Sequence, residues 1–168
     1  MVAARKLAGG IDAFTDLVGR ATSWLALGLA LVMGANVLLR YGFSLGWIWA
    51  QELEWHILVP ICLFGMSYAL LHGEHVRVDV LFQSFSPRTK HAVDVAAAIL
   101  GMLLSILVIR LSIHYVMQSW DANEGSANPG GMDHRYLIKS LIPIGFALFF
   151  MQSLSQAIKS YDAFRSAQ

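Results

Sequence analysis

The sequence is poor in charged residues and has a single cysteine. Only 14% of its 168 residues are Asp, Glu, Lys or Arg, whereas a soluble domain usually carries about 25%. The lone Cys62 excludes a disulfide framework within the chain and a CxxC redox pair, and its apolar surroundings predict a buried thiol. The net charge of +1 gives no indication of nucleic acid as a partner.

Long runs without charge are present instead. A hydrocarbon core about 30 Å thick requires about 20 mostly apolar helical residues, and 57% of this chain is hydrophobic. Four runs meet that requirement. They predict an all-α integral membrane protein, a single membrane domain over 1–168 with spans at about 21–40, 53–72, 92–117 and 139–159.

The third span is interrupted by Arg110. If its helix begins near Ala92, Arg110 lies about 27 Å along it, near the headgroups on the far side. There the guanidinium can snorkel or pair with a partner. A buried residue on an ion pathway is the alternative interpretation.

Lys and Arg are distributed unequally between the two sides of the predicted membrane. Eight lie in the N-terminal tail, the loop between spans two and three, and the C-terminal tail; Arg40, Arg135 and Lys139 lie opposite. Because cytoplasmic loops carry an excess of basic residues, both termini are predicted to be cytoplasmic. An interfacial belt of aromatic residues is predicted on the outer side, at Tyr41, Trp47, Trp49 and Trp55.

Two segments are too polar to span a bilayer yet too apolar for a free loop. Residues 3–19 carry apolar side chains at helical spacing, which predicts a short amphipathic helix in the cytoplasmic interface, with a disordered tail as the alternative. Residues 46–54 predict a second interfacial element before span two. Ser86-Pro87 predicts the N-cap and first position of the third helix, and Asn128-Pro-Gly-Gly131 predicts turns in the outer loop.

Small residues at every fourth position predict faces where membrane helices approach closely. Such faces occur in spans one and three, at Ala26, Ala30 and Gly34 and at Ala97, Gly101 and Ser105. Polar side chains within spans one and four should face protein or headgroups, either within the four-helix unit or at a partner interface. The residues concerned are Asn36, Arg40, Gln152 and Gln156.

The spans lack an acidic residue near the bilayer midplane, which transport by this chain alone would require. Histidine offers the main alternative function. His56 and His114 fall toward the outer ends of their spans, and two facing histidines could bind haem in a b-type cytochrome. A metal site in the inner loop, from His72, His75 and His91 with Glu74 and Asp79, is a weaker alternative.

Several short motifs follow one another in a recognisable order. Asn36-Val-Leu-Leu-Arg40-Tyr41 closes span one, and Glu52-Leu-Glu54 opens span two. Span two ends in Phe64-Gly-Met-Ser-Tyr-Ala-Leu70, followed by Gly73-Glu-His-Val-Arg77-Val-Asp79. Span four carries Ile138-Lys139, Ile142-Pro-Ile-Gly-Phe146 and Gln152. Across roughly residues 11–158, this order resembles the small membrane subunit (DctQ-like) of tripartite ATP-independent periplasmic (TRAP) transporters.

The resemblance implies a non-catalytic subunit of the bacterial inner membrane with no cofactor of its own. Its partner would be a large multi-span subunit that holds the substrate and sodium sites and moves like an elevator. A periplasmic binding protein would deliver the substrate, usually an organic acid. The small subunit would act as a scaffold, held in the membrane by interfacial anchors and lipids.

The resemblance also implies roles for single residues. Arg40 and Tyr41 would anchor the outer end of span one, Glu52 would meet the binding protein or pair locally, and Arg77 and Asp79 would organise the inner loop. The complete set of predicted interface or anchoring residues is Asn36, Arg40, Tyr41, Trp47, Trp49, Glu52, Glu54, Arg77, Asp79, Arg110, Lys139 and Gln152.

Overall fold

A computed structural model of the chain describes residues 2–73 and 85–166. They form four helices, α1 (Val2–Phe43), α2 (Ile48–His72), α3 (Pro87–Asp121) and α4 (Arg135–Ser166). Each is long and apolar enough to cross a bilayer, which confirms the predicted class of four transmembrane helices. We call the end of the bundle where α1 begins and α4 ends the terminal end, and the opposite end the far end.

Local chemistry explains where two of these helices begin and end. The Ser86 hydroxyl accepts a hydrogen bond from the Thr89 backbone N–H at 3.2 Å, and Pro87 follows at the first helical position, as predicted. At the end of α2, Gly73 adopts a left-handed conformation with φ of 74°. Glycine reaches this conformation without steric cost, so the chain turns there.

Helix α4 is the centre of the structure. It packs against α1, α2 and most extensively α3, while α1 also packs along α2. The α3 surface that meets α4 carries a small residue at every seventh position, at Ala98, Ser105, Ser112 and Ser119, all buried. This spacing is that of a left-handed helix pair. Gly101 and Ser105 therefore belong to a close-contact face, as predicted, but Ala97 is exposed and Ala98 takes its place.

The distribution of side chains is the reverse of that in a soluble protein. Among the described residues the buried apolar side chains are Ala8, Ala50, Ala98 and Leu148, whereas eleven buried residues are polar or charged, mostly Ser and Thr. Large apolar side chains such as Trp24 and Leu38 are more than two-thirds exposed. Since lipid provides no hydrophobic drive between helices, small polar interiors and apolar exteriors are expected of a membrane bundle.

The N-terminal segment continues into the first span instead of forming a short helix of its own. Residues 3–19 are helical, but no proline or turn separates them from the first span, so α1 is continuous. The segment packs on the C-terminal part of α4, where the Arg5 guanidinium lies 2.7 Å from the Asp162 carboxylate. Residues 48–54 likewise form the first turns of α2 rather than a separate element. In span one, Ala26, Ala30 and Gly34 are exposed, so no helix within residues 2–73 or 85–166 covers them.

Candidate functional site

Glu52 organises the far end of the bundle. It lies in the second turn of α2 and is only 4% exposed, because the loop between α3 and α4 folds over it. Its carboxylate accepts hydrogen bonds from the Ser126 hydroxyl at 2.5 Å, the Met132 backbone N–H at 2.6 Å and the Asn128 amide at 3.4 Å. The Arg135 guanidinium lies 3.6 Å away. Of the two roles predicted for Glu52, local pairing is the one its burial supports.

Glycine makes this close approach possible. A Cβ atom on Gly131 would collide with the Ser126 side chain and lie 2.7 Å from Oε2 of Glu52. The Asn-Pro-Gly-Gly sequence therefore does more than form turns, since it brings loop backbone onto a buried carboxylate. Sequence reasoning missed this link between Glu52 and the outer loop; the acid near the start of an apolar helix and the paired glycines were its only signals.

Lys139 forms the second polar contact of the far end. Its ammonium pairs with Glu124 of the loop and lies 4.0 Å from the centre of the Tyr115 ring on α3. The hydrogen bond from Lys139 lowers the pKa of the Glu124 carboxyl below its ordinary value. Nearby, the Arg135 guanidinium lies 5.6 Å from the centre of the Trp55 ring on α2. These contacts join the loop to all three helices around it.

Asn36 connects α1 to α2 at the same end. Its amide donates to Oε1 of Glu54 at 2.7 Å and to the Ala50 carbonyl oxygen at 3.1 Å. An amide in a membrane helix is costly unless it is hydrogen-bonded, and here the partner lies within the chain. Arg40 and Tyr41 line an open cleft beside this pair, and Tyr41 is 81% exposed.

Trp47 also lines this cleft, and Trp49 follows two residues later, where the connection from α1 enters α2. Their ring centres are 6.5 Å apart and both side chains are about half exposed. Amphipathic rings in such a position suit the boundary between headgroups and acyl chains. Their predicted anchoring role stays a prediction.

A third polar cluster ties α1 to α4 at the terminal end. One oxygen of Asp12 accepts hydrogen bonds from the Ser155 hydroxyl at 2.7 Å and the Gln152 amide at 3.0 Å. The other lies 2.9 Å from the Lys159 ammonium. Gln152 is fully buried, and its amide nitrogen is directed to this partner inside the chain.

Other predicted residues are not brought into these clusters. Arg110 is exposed on α3 and forms no hydrogen bond or ion pair with residues 2–73 or 85–166. Arg77 and Asp79 lie outside the described residues, as do Glu74 and His75 of the proposed metal site. His56 is turned back on its own helix, with Nδ1 2.7 Å from the Glu52 carbonyl oxygen.

Cys62 is exposed rather than buried as predicted. It lines an apolar groove of about 510 Å³ between α2 and α3, with α4 as its floor. The groove is open because α2 and α3 each pack on α4 rather than on each other. Trp55 and Tyr115 flank its far end.

These arrangements hold helices together. Within the described ranges no three His, Cys, Asp or Glu side chains converge as a metal site would require. The acids Glu52, Glu124 and Asp12 are each neutralised by a basic residue of the same chain. Most of the apolar side chains on the outside of the bundle take no part in these contacts.

Comparison with known proteins agrees with this picture. The family model for the DctQ component of tripartite ATP-independent periplasmic transporters matches residues 29–162. The chain is 26% identical over 139 residues to the ectoine TRAP transporter small permease protein of Halomonas elongata, covering 81% of this chain and 71% of that one. It is also 26% identical over 110 residues to the C4-dicarboxylate TRAP transporter small permease protein of Rhodobacter capsulatus, covering 66% of this chain and about half (48%) of that one. These relatives are transporter subunits and do not favour a cytochrome. The chain therefore belongs to the DctQ family, the small membrane components of TRAP transporters.

Proposed function

We propose that this chain is a non-catalytic scaffold that seats the large transport subunit of its TRAP transporter in the membrane. The observation that supports this most directly is the use of its polar groups. Glu52, Asn36 and Asp12 each bind partners within the chain, which leaves a rigid frame with an apolar exterior. A frame of this kind can hold the fixed part of the large subunit while the moving part of that subunit slides past it.

The other components follow from family membership. The large multi-span subunit carries the substrate and sodium sites, and a periplasmic binding protein delivers the substrate. The two relatives are named for ectoine and for C4-dicarboxylates, so similarity to them does not select one compound. We take the substrate class to be organic acids.

The orientation follows from the basic residues. An excess of Lys and Arg at the terminal end supports an orientation with both termini in the cytoplasm, in which the far end with its Glu52-bound loop faces the periplasm. That loop and the exposed tryptophans beside it form the surface that a binding protein would approach.

The first test is purification of a tagged chain from native membranes in mild detergent, followed by mass spectrometry. We expect one large polytopic protein in roughly equal amount. Reconstitution of the large subunit into sodium-free vesicles that are then diluted into sodium-containing buffer, with and without this chain, measures uptake of the delivered substrate. Uptake that is equal in both preparations would contradict the scaffold role, and a chain that elutes alone with a haem absorption band would favour the cytochrome.

A further inference from the structure

Helix α3 has one face that no other part of the described chain covers. It meets α4 through Ala98, Gly101, Ser105, Ser112 and Ser119. At 3.6 residues per turn, Arg110 lies on the opposite side of the helix. Three leucines, Leu100, Leu103 and Leu107, lead up to it on the same side, and each is more than half exposed.

Beyond Arg110 this face becomes polar. His114, Gln118 and Asp121 follow at intervals of three or four residues and are all exposed. We call Leu100, Leu103, Leu107, Arg110, His114, Gln118 and Asp121 the α3 stripe. It is apolar toward the terminal end, then carries a cation, and ends in an anion where the helix ends.

The depth of Arg110 follows from the pairing of α3 with α4. Lys139 lies over Tyr115, and a Cβ on Gly101 would lie 3.0 Å from the Ser153 hydroxyl, so the two helices keep one antiparallel register. Arg110 is five residues, or about 7.5 Å, nearer the bilayer centre than Tyr115. Lys139 directly precedes the charge-free run of α4 and therefore marks the level at which the headgroups begin. A guanidinium at Arg110 can reach the phosphate layer at this level by extending its side chain.

We propose that the α3 stripe binds one phospholipid with a zwitterionic, amine-bearing headgroup. The phosphate binds Arg110 and His114, the amine lies toward Asp121, and an acyl chain follows the three leucines. In such a lipid the phosphate lies deeper than the amine, and the stripe carries its cation deeper than its anion. Guanidinium groups favour phosphate because their paired N–H donors match its oxygens.

The composition of the stripe favours lipid over a second protein helix. Interfaces between membrane helices are enriched in small residues that let backbones approach, as on the α4 side of α3. The stripe between Leu100 and Asp121 contains no Gly, Ala or Ser. The leucines protrude toward the bilayer centre and the polar side chains lie nearer the headgroups. This order is complementary to the acyl chain and the headgroup of a lipid.

The test uses the full chain with its large subunit, purified in detergent and stripped of lipid. Phosphatidylethanolamine, phosphatidylglycerol or diacylglycerol is added back, and bound lipid is counted by native mass spectrometry. We expect phosphatidylethanolamine to bind best and diacylglycerol worst. Arg110→Gln should weaken binding of both phospholipids about tenfold, and Asp121→Asn should abolish the preference for phosphatidylethanolamine over phosphatidylglycerol.

Arg165→Gln is the matched control, because Arg165 is also exposed but lies in the last turn of α4 at the terminal end. It should bind all three lipids as the unaltered chain does. Unchanged phospholipid binding by Arg110→Gln would overturn the proposal. So would loss of the large subunit from that variant, since the stripe would then be a protein interface. An Asp121→Asn variant that keeps its lipid preference would overturn the assignment of the headgroup.

Discussion

Gly19 of α1 lies directly against the ring of Tyr68 on α2. A Cβ atom placed on Gly19 would overlap this ring and lie 2.8 Å from Tyr68 Cβ, closer than side chains pack. The contact joins the two helices near the terminal end, as the bond from Asn36 to Glu54 joins them near the far end. Together the two contacts fix how α1 lies along α2.

Gly19→Ala should therefore destabilise the bundle. Overpacking of this kind costs about 1–3 kcal/mol, and thermal unfolding in detergent would measure the loss. Gly28→Ala is the control, because a Cβ on Gly28 meets nothing within 4 Å. We expect it to be neutral or to stabilise the helix by about 0.5–1 kcal/mol. Equal melting temperatures for the two variants would show that the α1–α2 contact does not limit stability.

Glu52→Gln should release the outer loop from α2. The amide keeps the shape of the side chain, but its nitrogen cannot accept the bond from the Met132 N–H, and the attraction to Arg135 is lost. Trypsin cleavage after Arg135 should become several-fold faster in this variant. Glu54→Gln, which alters only the Asn36 contact, should leave the cleavage rate unchanged. Equal cleavage in both variants would mean that the loop is held by other contacts.

Asp12→Asn should loosen the N-terminal part of α1 from α4. It removes the ion pair with Lys159 and weakens the hydrogen bonds from Ser155 and Gln152, which costs about 1–3 kcal/mol. Faster hydrogen exchange of the first turns of α1 would report this. Asp16→Asn is the control, since Asp16 pairs with Arg20 of its own helix and with His72 of α2 rather than with α4, and such partly exposed pairs are worth about 0–1 kcal/mol. Equal exchange in the two variants would contradict a special role for Asp12.

Acid should detach the loop from Lys139. The pKa of Glu124 is lowered in the folded chain from its ordinary value of 4.5, with the Lys139 hydrogen bond as the main cause. Its stabilising contribution is therefore complete above pH 4.5 and is lost as the pH falls through the lower folded value. Loop accessibility should rise over that range. Glu124→Gln should flatten this pH dependence. If this variant kept the full dependence, the titrating group would be a residue other than Glu124.

The sequence predicted the helices well because their signal is local. Long charge-free runs and the Ser86-Pro87 cap lie in consecutive residues, and the structure confirms both. The environment of Asn36 and Gln152 was also foreseeable, since an amide in lipid must find a partner. The identity of those partners was not, because Asp12 and Gln152 are 140 positions apart.

Two predictions that the structure does not bear out, a separate short helix over residues 3–19 and a buried Cys62, share one physical cause. Apolar periodicity in residues 3–19 is the same whether the face meets lipid or α4, so it could not distinguish an interfacial helix from an extension of α1. Cys62 was predicted to be buried because its neighbours are apolar, but in a membrane protein apolar surroundings do not imply burial. The contact of Glu52 with the loop depends on a fold of the backbone that no spacing rule describes.

The central position of α4 has a consequence for the biogenesis of the chain. Synthesis proceeds from the N-terminus, so the helix on which α1, α2 and α3 all pack enters the membrane after these three. Until then Asp12 lacks its three partners on α4, and the serines along α3 face lipid. Assembly of the bundle is thus a late event, and a truncation that removes α4 takes away the common partner of the other three helices.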